Sequence, residues 1–277
     1  MTRRKFLTGV GAAGAAAAYP LLIEPAWFEV TRTQVRLAGT RKGRFTVLHL
    51  SDLHAEFKDP FSPLVDAIEA GLRANPDLVC VTGDFVSLGS DVDQRRYTAA
   101  LRRLSGARPT FASLGNHDGG RWTREHGGAR SSTLVRRILE EANVELLLNR
   151  ARTFQVNGCE FVLAGVGDLW SGEVSPGPPF DIRPNGRPIL LLAHNPDSKE
   201  LLQRHPWDLM LSGHTHGGQV IIPFRGPHLA PIRDKRYVAG LGSWEGRQIF
   251  VSRGVGNYLH VRFRCRPEVS ILDVEVG

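Results

Sequence analysis

Residues 212–218 read Ser-Gly-His-Thr-His-Gly-Gly, two imidazoles one residue apart among glycines, directly after the apolar run Leu209-Met210-Leu211. The same arrangement recurs along the chain. Asp52 and His54 follow one apolar run, Asp84 a second, Asn116 with His117 and Asp118 a third, and His194 a fourth. Leaving Asp118 aside, these are five histidines, two aspartates and one asparagine. Imidazole suits Zn, Fe and Mn, whereas carboxylate and amide oxygens suit hard divalent cations. A single ion takes about four to six ligands, so this many donors points to two ions sharing a bridge. Two ions ~3.5–4 Å apart clamp the attacking and departing oxygens of an in-line displacement, and a bound water drops towards pKa ~7. The alternation in Asp52-x-His54 and His214-x-His216 is expected to send both side chains of each pair to one side of an extended backbone. Gly83, Gly115 and Gly213 each precede one of these residues, where a missing Cβ permits tight turns and close approach.

The segments that must position these residues follow from periodicity. Residues 44–52, 77–84 and 109–118 are β-branched and apolar and stop at polar clusters, the pattern of buried strands. Leu64, Val65, Ile68 and Leu72 show helical spacing behind Ser62-Pro63, and residues 91–105 and 132–144 predict two further helices. Asn157-Gly158 separates two strand-like runs and predicts a hairpin. Residues 188–195 predict a buried strand, and a helix capped by Asn195 with Pro196 at its first turn is expected after it. The runs at 207–216, 218–223, 247–254 and 268–276 predict the remaining strands. Strands alternating with helices, followed by clustered strands, define an α/β chain with mixed sheets. Each ligand group falls at the end of a strand, and the carboxyl ends of strands are where open α/β sheets build their sites. The Pro/Gly-rich stretch 171–188 predicts a surface loop.

The 277 residues, 42% hydrophobic and 23% charged, suffice for a sizeable core. A formal charge of +7 favours anionic partners such as phosphate esters or a lipid surface. No nucleic-acid reader motif accompanies that charge, so nucleic acid is not an expected partner. Cys80, Cys159 and Cys265 are an odd number without C-x-x-C spacing, against both a disulfide framework and a thiolate cluster. The first residues stand apart. Arg3-Arg4-Lys5 precede Phe6-Leu7 and a Gly/Ala-rich stretch uncharged until Glu24. That is an export signal of twin-arginine type, with residues 1–30 as signal or membrane anchor and residues 31–277 as the working domain. The twin-arginine translocase is then an expected partner, and the body is expected at the outer face of the bacterial cytoplasmic membrane.

Ser51-Asp52-Leu53-His54, Gly83-Asp84-Phe85-Val86-Ser87, Gly115-Asn116-His117-Asp118, Ala193-His194-Asn195-Pro196 and Gly213-His214-Thr215-His216-Gly217-Gly218-Gln219, in this order, resemble the five blocks of the calcineurin-like metallophosphoesterase superfamily. The resemblance implies a four-layer α/β/β/α sandwich of two mixed sheets and a dinuclear centre of Mn, Fe or Zn. It implies Asp52, His54, Asp84 and His216 around one ion, with Asp84 bridging to a second held by Asn116, His194 and His214. His117 would face the substrate phosphate and protonate the departing oxygen, with Asp118 orienting it. The expected activity is hydrolysis of a phosphodiester or phosphomonoester, a small molecule or envelope component, by metal-activated water. Two alternatives stand beside it: pyrophosphate hydrolysis of UDP-2,3-diacylglucosamine, and non-catalytic binding of metal or anionic polymer in the envelope. Ser87 and Leu88 stand where Ser/Thr phosphatases carry an acidic residue and a phosphate-binding arginine, which argues against that activity. Ser87 stands where purple acid phosphatases carry a tyrosine ligand.

Other candidates have plainer readings. His49 inside a strand is expected to be a hydrogen-bonded structural residue, and His126, His205, His228 and His260 surface or capping residues. Asp168 either orients a ligand or makes a turn. Trp122, Trp170, Trp207 and Trp244 are expected in the core or at its rim. Arg121, Arg124, Arg225, Arg233 and Arg253 are candidates for steering an anionic substrate, each singly expected to be a solvated charge instead.

Overall fold

The computed structural model describes residues 18–56, 62–88, 92–181, 185–257 and 260–277. The Arg3-Arg4 motif lies outside them. Two six-stranded sheets pack face to face. The first has the order β1 (Glu29–Leu37), β12 (Glu268–Val276), β2 (Gly43–Ser51), β3 (Leu78–Thr82), β4 (Thr110–Ser113), β5 (Glu145–Leu146). The second has the order β10 (Gly240–Trp244), β11 (Arg247–Val251), β9 (Leu209–Ser212), β8 (Ile189–Leu192), β7 (Cys159–Gly165), β6 (Arg150–Val156). β2, β3 and β4 run parallel, as do β7, β8, β9 and β11, while β12 lies antiparallel to β2 and parallel to β1.

The pleat sorts the side chains of these strands to two faces. Val47, Leu78, Cys80 and Phe111 of the first sheet meet Phe161, Leu163, Leu190, Leu209 and Phe250 of the second in the core between the sheets. Leu48, Leu50, Val79 and Val81 point the other way, against Ile68 of the helix Ser62–Leu72, Leu101 and Leu104 of the helix Gln94–Ala107 and Ile138 of the helix Thr133–Glu141. Asp93 caps the helix Gln94–Ala107, accepting the Arg96 amide at 3.1 Å. The outer face of the second sheet is covered more thinly. Trp207 and Trp244 stack 5.7 Å apart over it with the Arg247 guanidinium on Trp207, and Leu202 and Tyr237 fill the remainder. The sandwich is therefore four-layered, with a fourth layer of short turns and aromatic side chains.

Three expectations need correction. The helix after β8 is a single turn, Ser198–Leu201, because Asn195 and Pro196 are spent in a loop in which the Asn195 side chain accepts the Asp197 amide. Residues 218–223 form isolated bridges, Val220 to Phe263 and Ile222 to Gly226, since the turn His216–Gly218 just before them, with Gly217 and Gly218 in left-handed conformations, redirects the chain. β1 and β10 were not foreseen. β1 begins at Glu29, so a boundary after residue 30 falls inside a strand. The segment before it is already docked on the body: Pro20 O accepts the Arg262 amide at 2.9 Å, Pro25 O accepts Asn257 Nδ2 at 3.0 Å, and the buried Glu24 carboxylate accepts the Cys265 amide. The hairpin formed as expected, with Asn157 and Gly158 both at positive φ. All three cysteines are free and buried. Among the described residues, no helix is long and apolar enough to cross a membrane.

Candidate metal centre

The ligand groups leave the carboxyl ends of parallel strands: Asp52 and His54 after β2, Asp84 after β3, Asn116 to Asp118 after β4, His194 after β8, His214 and His216 after β9. Both sheets present these ends to one side of the sandwich, so groups distant in sequence meet there. They form two buried triads, Asp52–His54–His216 and Asp84–His194–His214, whose ligand atoms lie within 4.8 Å of one another in each triad. His54 Nε2 stands 3.0 Å from His216 Nε2, which is 3.3 Å from Asp52 Oδ1. Asp84 Oδ2 reaches both triads, 3.1 Å from His194 Nε2 and 3.6 Å from His54 Nε2. That position is the one a bridging carboxylate needs.

The backbone here departs from expectation. Asp52, His54, Asp84, His214 and His216 all have φ between 45° and 69°. The alternating pairs converge through left-handed turns beyond the strand ends, not along an extended chain. Residues with a Cβ enter that region at a cost of roughly 1–3 kcal/mol each, and five at one spot mark a strained site held in place by its surroundings. The neighbouring glycines make room. A Cβ on Gly213 would sit 1.9 Å from Ser51 Oγ and 2.1 Å from Asp52 Oδ2, and one on Gly115 2.3 Å from Asp84 Oδ1.

Hydrogen bonds fix the ring tautomers. His194 Nδ1 donates to Thr82 O at 2.7 Å, and His214 Nε2 donates to Pro231 O at 3.0 Å. The lone pairs of His194 Nε2 and His214 Nδ1 are thereby left for a cation. Asp52 accepts the His214 amide on both oxygens, at 3.0 and 3.1 Å, and Asp84 Oδ1 accepts the His117 amide at 2.8 Å. Asp118 accepts the amides of Gly115, Asp84 and Phe85 at 2.8, 3.0 and 2.7 Å. Both its oxygens are thus committed to backbone N–H groups. The carboxylate clamps the loops carrying Asp84 and Asn116, a different task from the expected one of orienting His117.

The residues fit divalent cations on two counts. Asn116 Oδ1 is buried without a hydrogen-bond partner, an expensive state for a polar atom unless a metal completes it, and His194 Nε2 faces only the Asp84 carboxylate at 3.1 Å. The charges agree. Burial holds the imidazoles of His54 and His214 down at about 3, and that of His216 well below its ordinary value, so these are neutral donors. Burial opposes charge on His194 too, but Asp84, Asp52 and Asp168 carry its pKa well above the usual value. Burial likewise pushes Asp84 up, yet His194 and His117 hold it well below the usual carboxylate range. Two buried carboxylates therefore draw positive charge to the point where Asp84 and His194 meet, the role of a cation.

His117 is buried, its pKa lowered mainly by burial, and its ring stands 4.8 Å from that of His54. The Leu88 amide donates to Nδ1 at 3.4 Å, placing the proton of the neutral ring on Nε2. His49 behaves as the structural residue expected, buried with Nε2 2.8 Å from Thr82 Oγ1. Asp168 is buried, accepting the Ser171 amide at 2.7 Å, and Oδ2 has no hydrogen-bond partner.

Three residues at the site were not assigned to it from the sequence. Trp122 packs 4.6 Å from the His117 ring, and Trp170 stands edge-on 4.3 Å from His214, so these two tryptophans wall the centre. Arg262 is wholly buried and donates to Asn257 Oδ1 and to the carbonyls of Arg253, Gly256 and Cys265, with Nη2 3.5 Å from His216 Nδ1. Burial lowers its pKa to about 10, which leaves it a cation at neutral pH, and it pins the loop behind His216. A lone arginine in an Arg-rich stretch carries no sequence signal for such a role.

This arrangement defines a metal-dependent hydrolase of phosphoesters. A family model of calcineurin-like phosphoesterases matches residues 45–218, and the chain belongs to that family. Phosphodiesterase YaeI of Escherichia coli is 39% identical, over 99% of both chains. The metallophosphoesterase YkuE of Bacillus subtilis is 28% identical over 99% of this chain and 98% of its own. UDP-2,3-diacylglucosamine pyrophosphatase LpxG of Chlamydia trachomatis is 27% identical over 90% of each.

Proposed function

We propose that the chain hydrolyses phosphodiesters, with phosphomonoesters as a lesser substrate class. The observation that carries this is the pair of buried triads joined at Asp84 and flanked by His117. Two divalent cations, drawn from Mn, Fe and Zn, supply Lewis acidity to the phosphoryl oxygens and acidify a water there. The chain's own part is positional. Asp84 sets the spacing of the two half-sites, and Asp52 and Asp118 lock the loops that carry them. In the reaction the phosphorus–oxygen bond to one ester group breaks, the water oxygen takes its place, and the departing oxygen gains a proton from the imidazolium form of His117, which the proton released by the water restores. The Escherichia coli relative's description as a phosphodiesterase supports the diester.

A second reading, pyrophosphate hydrolysis in a diacylated sugar nucleotide, draws on the chlamydial relative's description and on an apolar groove at the site. The twin-arginine motif supports work at the outer face of the cytoplasmic membrane. A reporter fused at the C-terminus should be exported. Its retention in the cytoplasm would favour the second reading. The activity itself is tested with bis-p-nitrophenyl phosphate and Mn, then with His117→Ala and Asp84→Ala. Unchanged turnover in both variants would end the assignment.

A further inference from the structure

Beside the metal centre runs a groove of about 450 Å³ between the N-terminal segment and the body. Its walls are largely hydrocarbon: Leu21 and Leu22 on one side, Leu53, Leu64 and Val255 on the other. His54, a member of the first triad, also lines it, so the groove adjoins the centre there. Leu21 and Leu22 are 50% and 72% exposed at its rim, and the adjoining Ile23 and Trp27 are exposed as well. The Arg266 guanidinium covers the Trp27 ring at 4.0 Å. The segment is positioned, because Pro20, Glu24 and Pro25 are hydrogen-bonded to residues 257–265.

We infer that this groove receives a hydrocarbon chain carried by the phosphoester, so that the substrates include lipid phosphoesters. The inference rests on the phosphohydrolase reading and names its substrate class. A phosphoryl group held at the two triads would lie beside His54, the residue that the groove shares with the centre. Apart from His54, Asn257 and His260, the lining side chains are apolar and suited to cover methylene groups, each worth about 0.8 kcal/mol when buried. The exposed Leu21, Leu22, Ile23 and Trp27 continue the apolar surface outwards, where a chain leaving a lipid layer would cross. The phosphate is the anionic end, and a chain of net charge +7 suits it.

The test uses the full chain loaded with Mn and a series of n-alkyl phosphates from butyl to decyl, kept below their micelle-forming concentrations. Each is measured as an inhibitor of bis-p-nitrophenyl phosphate hydrolysis and as a ligand by calorimetry. Affinity should rise about two- to fourfold per added methylene until the groove is filled. Leu22→Glu and Ala26→Trp, both at exposed positions, should flatten the series to within about twofold from end to end. A flat series in the unaltered chain, or a slope that survives both substitutions, overturns the inference. Absence of turnover with bis-p-nitrophenyl phosphate would count against the hydrolase reading instead, and calorimetry would still decide the groove.

Discussion

At the scale of single residues, Asp84 and His117 divide the work in separable ways. Asp84→Asn removes the carboxylate that reaches both triads, and metal content measured by elemental analysis should fall below two ions per chain together with activity. His117→Ala should retain both ions while turnover of bis-p-nitrophenyl phosphate falls by about 10²–10⁴-fold. Loss of metal in the His117 variant would make it a ligand instead. Asp118→Ala removes the acceptor of four buried amides, those of Asp84, Phe85, Val86 and Gly115, and should cost on the order of 3 kcal/mol in urea unfolding, with Asp118→Asn recovering part of it. The metal-ligand types were legible in the sequence because imidazole, carboxylate and amide side chains recur where apolar runs stop. The roles of Trp122, Trp170 and Arg262 were not, because tryptophan and arginine are frequent elsewhere and proximity to a site leaves no local mark on them.

At the scale of elements, glycine separates turns that shape the fold from turns that shape the site. Gly158 closes the β6–β7 hairpin with φ of +77°, and nothing lies within 4 Å of an added Cβ. Gly158→Ala should therefore cost about 1 kcal/mol of stability and leave activity intact. Gly213→Ala drives a Cβ into Ser51 and Asp52, and should abolish turnover even where the chain still folds. Comparing unfolding midpoints and turnover for the two variants checks both statements. The strands that carry ligands were readable from their buried apolar runs. β1 was not, since Glu29, Thr31, Arg32, Thr33, Gln34 and Arg36 make it polar, and its partner β12 lies at the opposite end of the chain. The reverse error at residues 218–223 has the same root: an apolar run makes a strand only where a neighbour is in register to pair with it.

At the scale of the whole molecule, the centre couples stability to metal and to pH. Cation at one hundred times its dissociation constant should add about 2.7 kcal/mol and raise the melting temperature by several degrees. Scanning calorimetry with and without a chelator measures this, and an unmoved transition would show that the triads bind no metal. His49 gives a separate handle. Burial drives its pKa to about 3, while the unfolded chain titrates near 6.5. Between those values the unfolded chain binds a proton that the folded one refuses, so stability falls as pH is lowered from 6.5 towards 3. The slope approaches about 1.4 kcal/mol per pH unit. Replacing His49 with Gln should make the decline of unfolding midpoints between pH 6.5 and 5 shallower by one proton's worth. The α/β class with mixed sheets was readable from the alternation of strands and helices, whereas the stacking of two sheets was implied by the resemblance of the five blocks. The thin outer layer over β8 and β9 was not, since it depends on tryptophan stacking between segments distant in sequence.

The bonds from Asp52 to the His214 amide and from His194 to the Thr82 carbonyl each join one sheet to the other at the mouth of the sandwich. They act as stitches across a seam, so the two halves cannot part there without tearing the very groups that hold the ions. Admission of reactant and escape of product thus fall to the rim, to the tryptophan loops and the amino-terminal strap, while the jaws themselves stay shut.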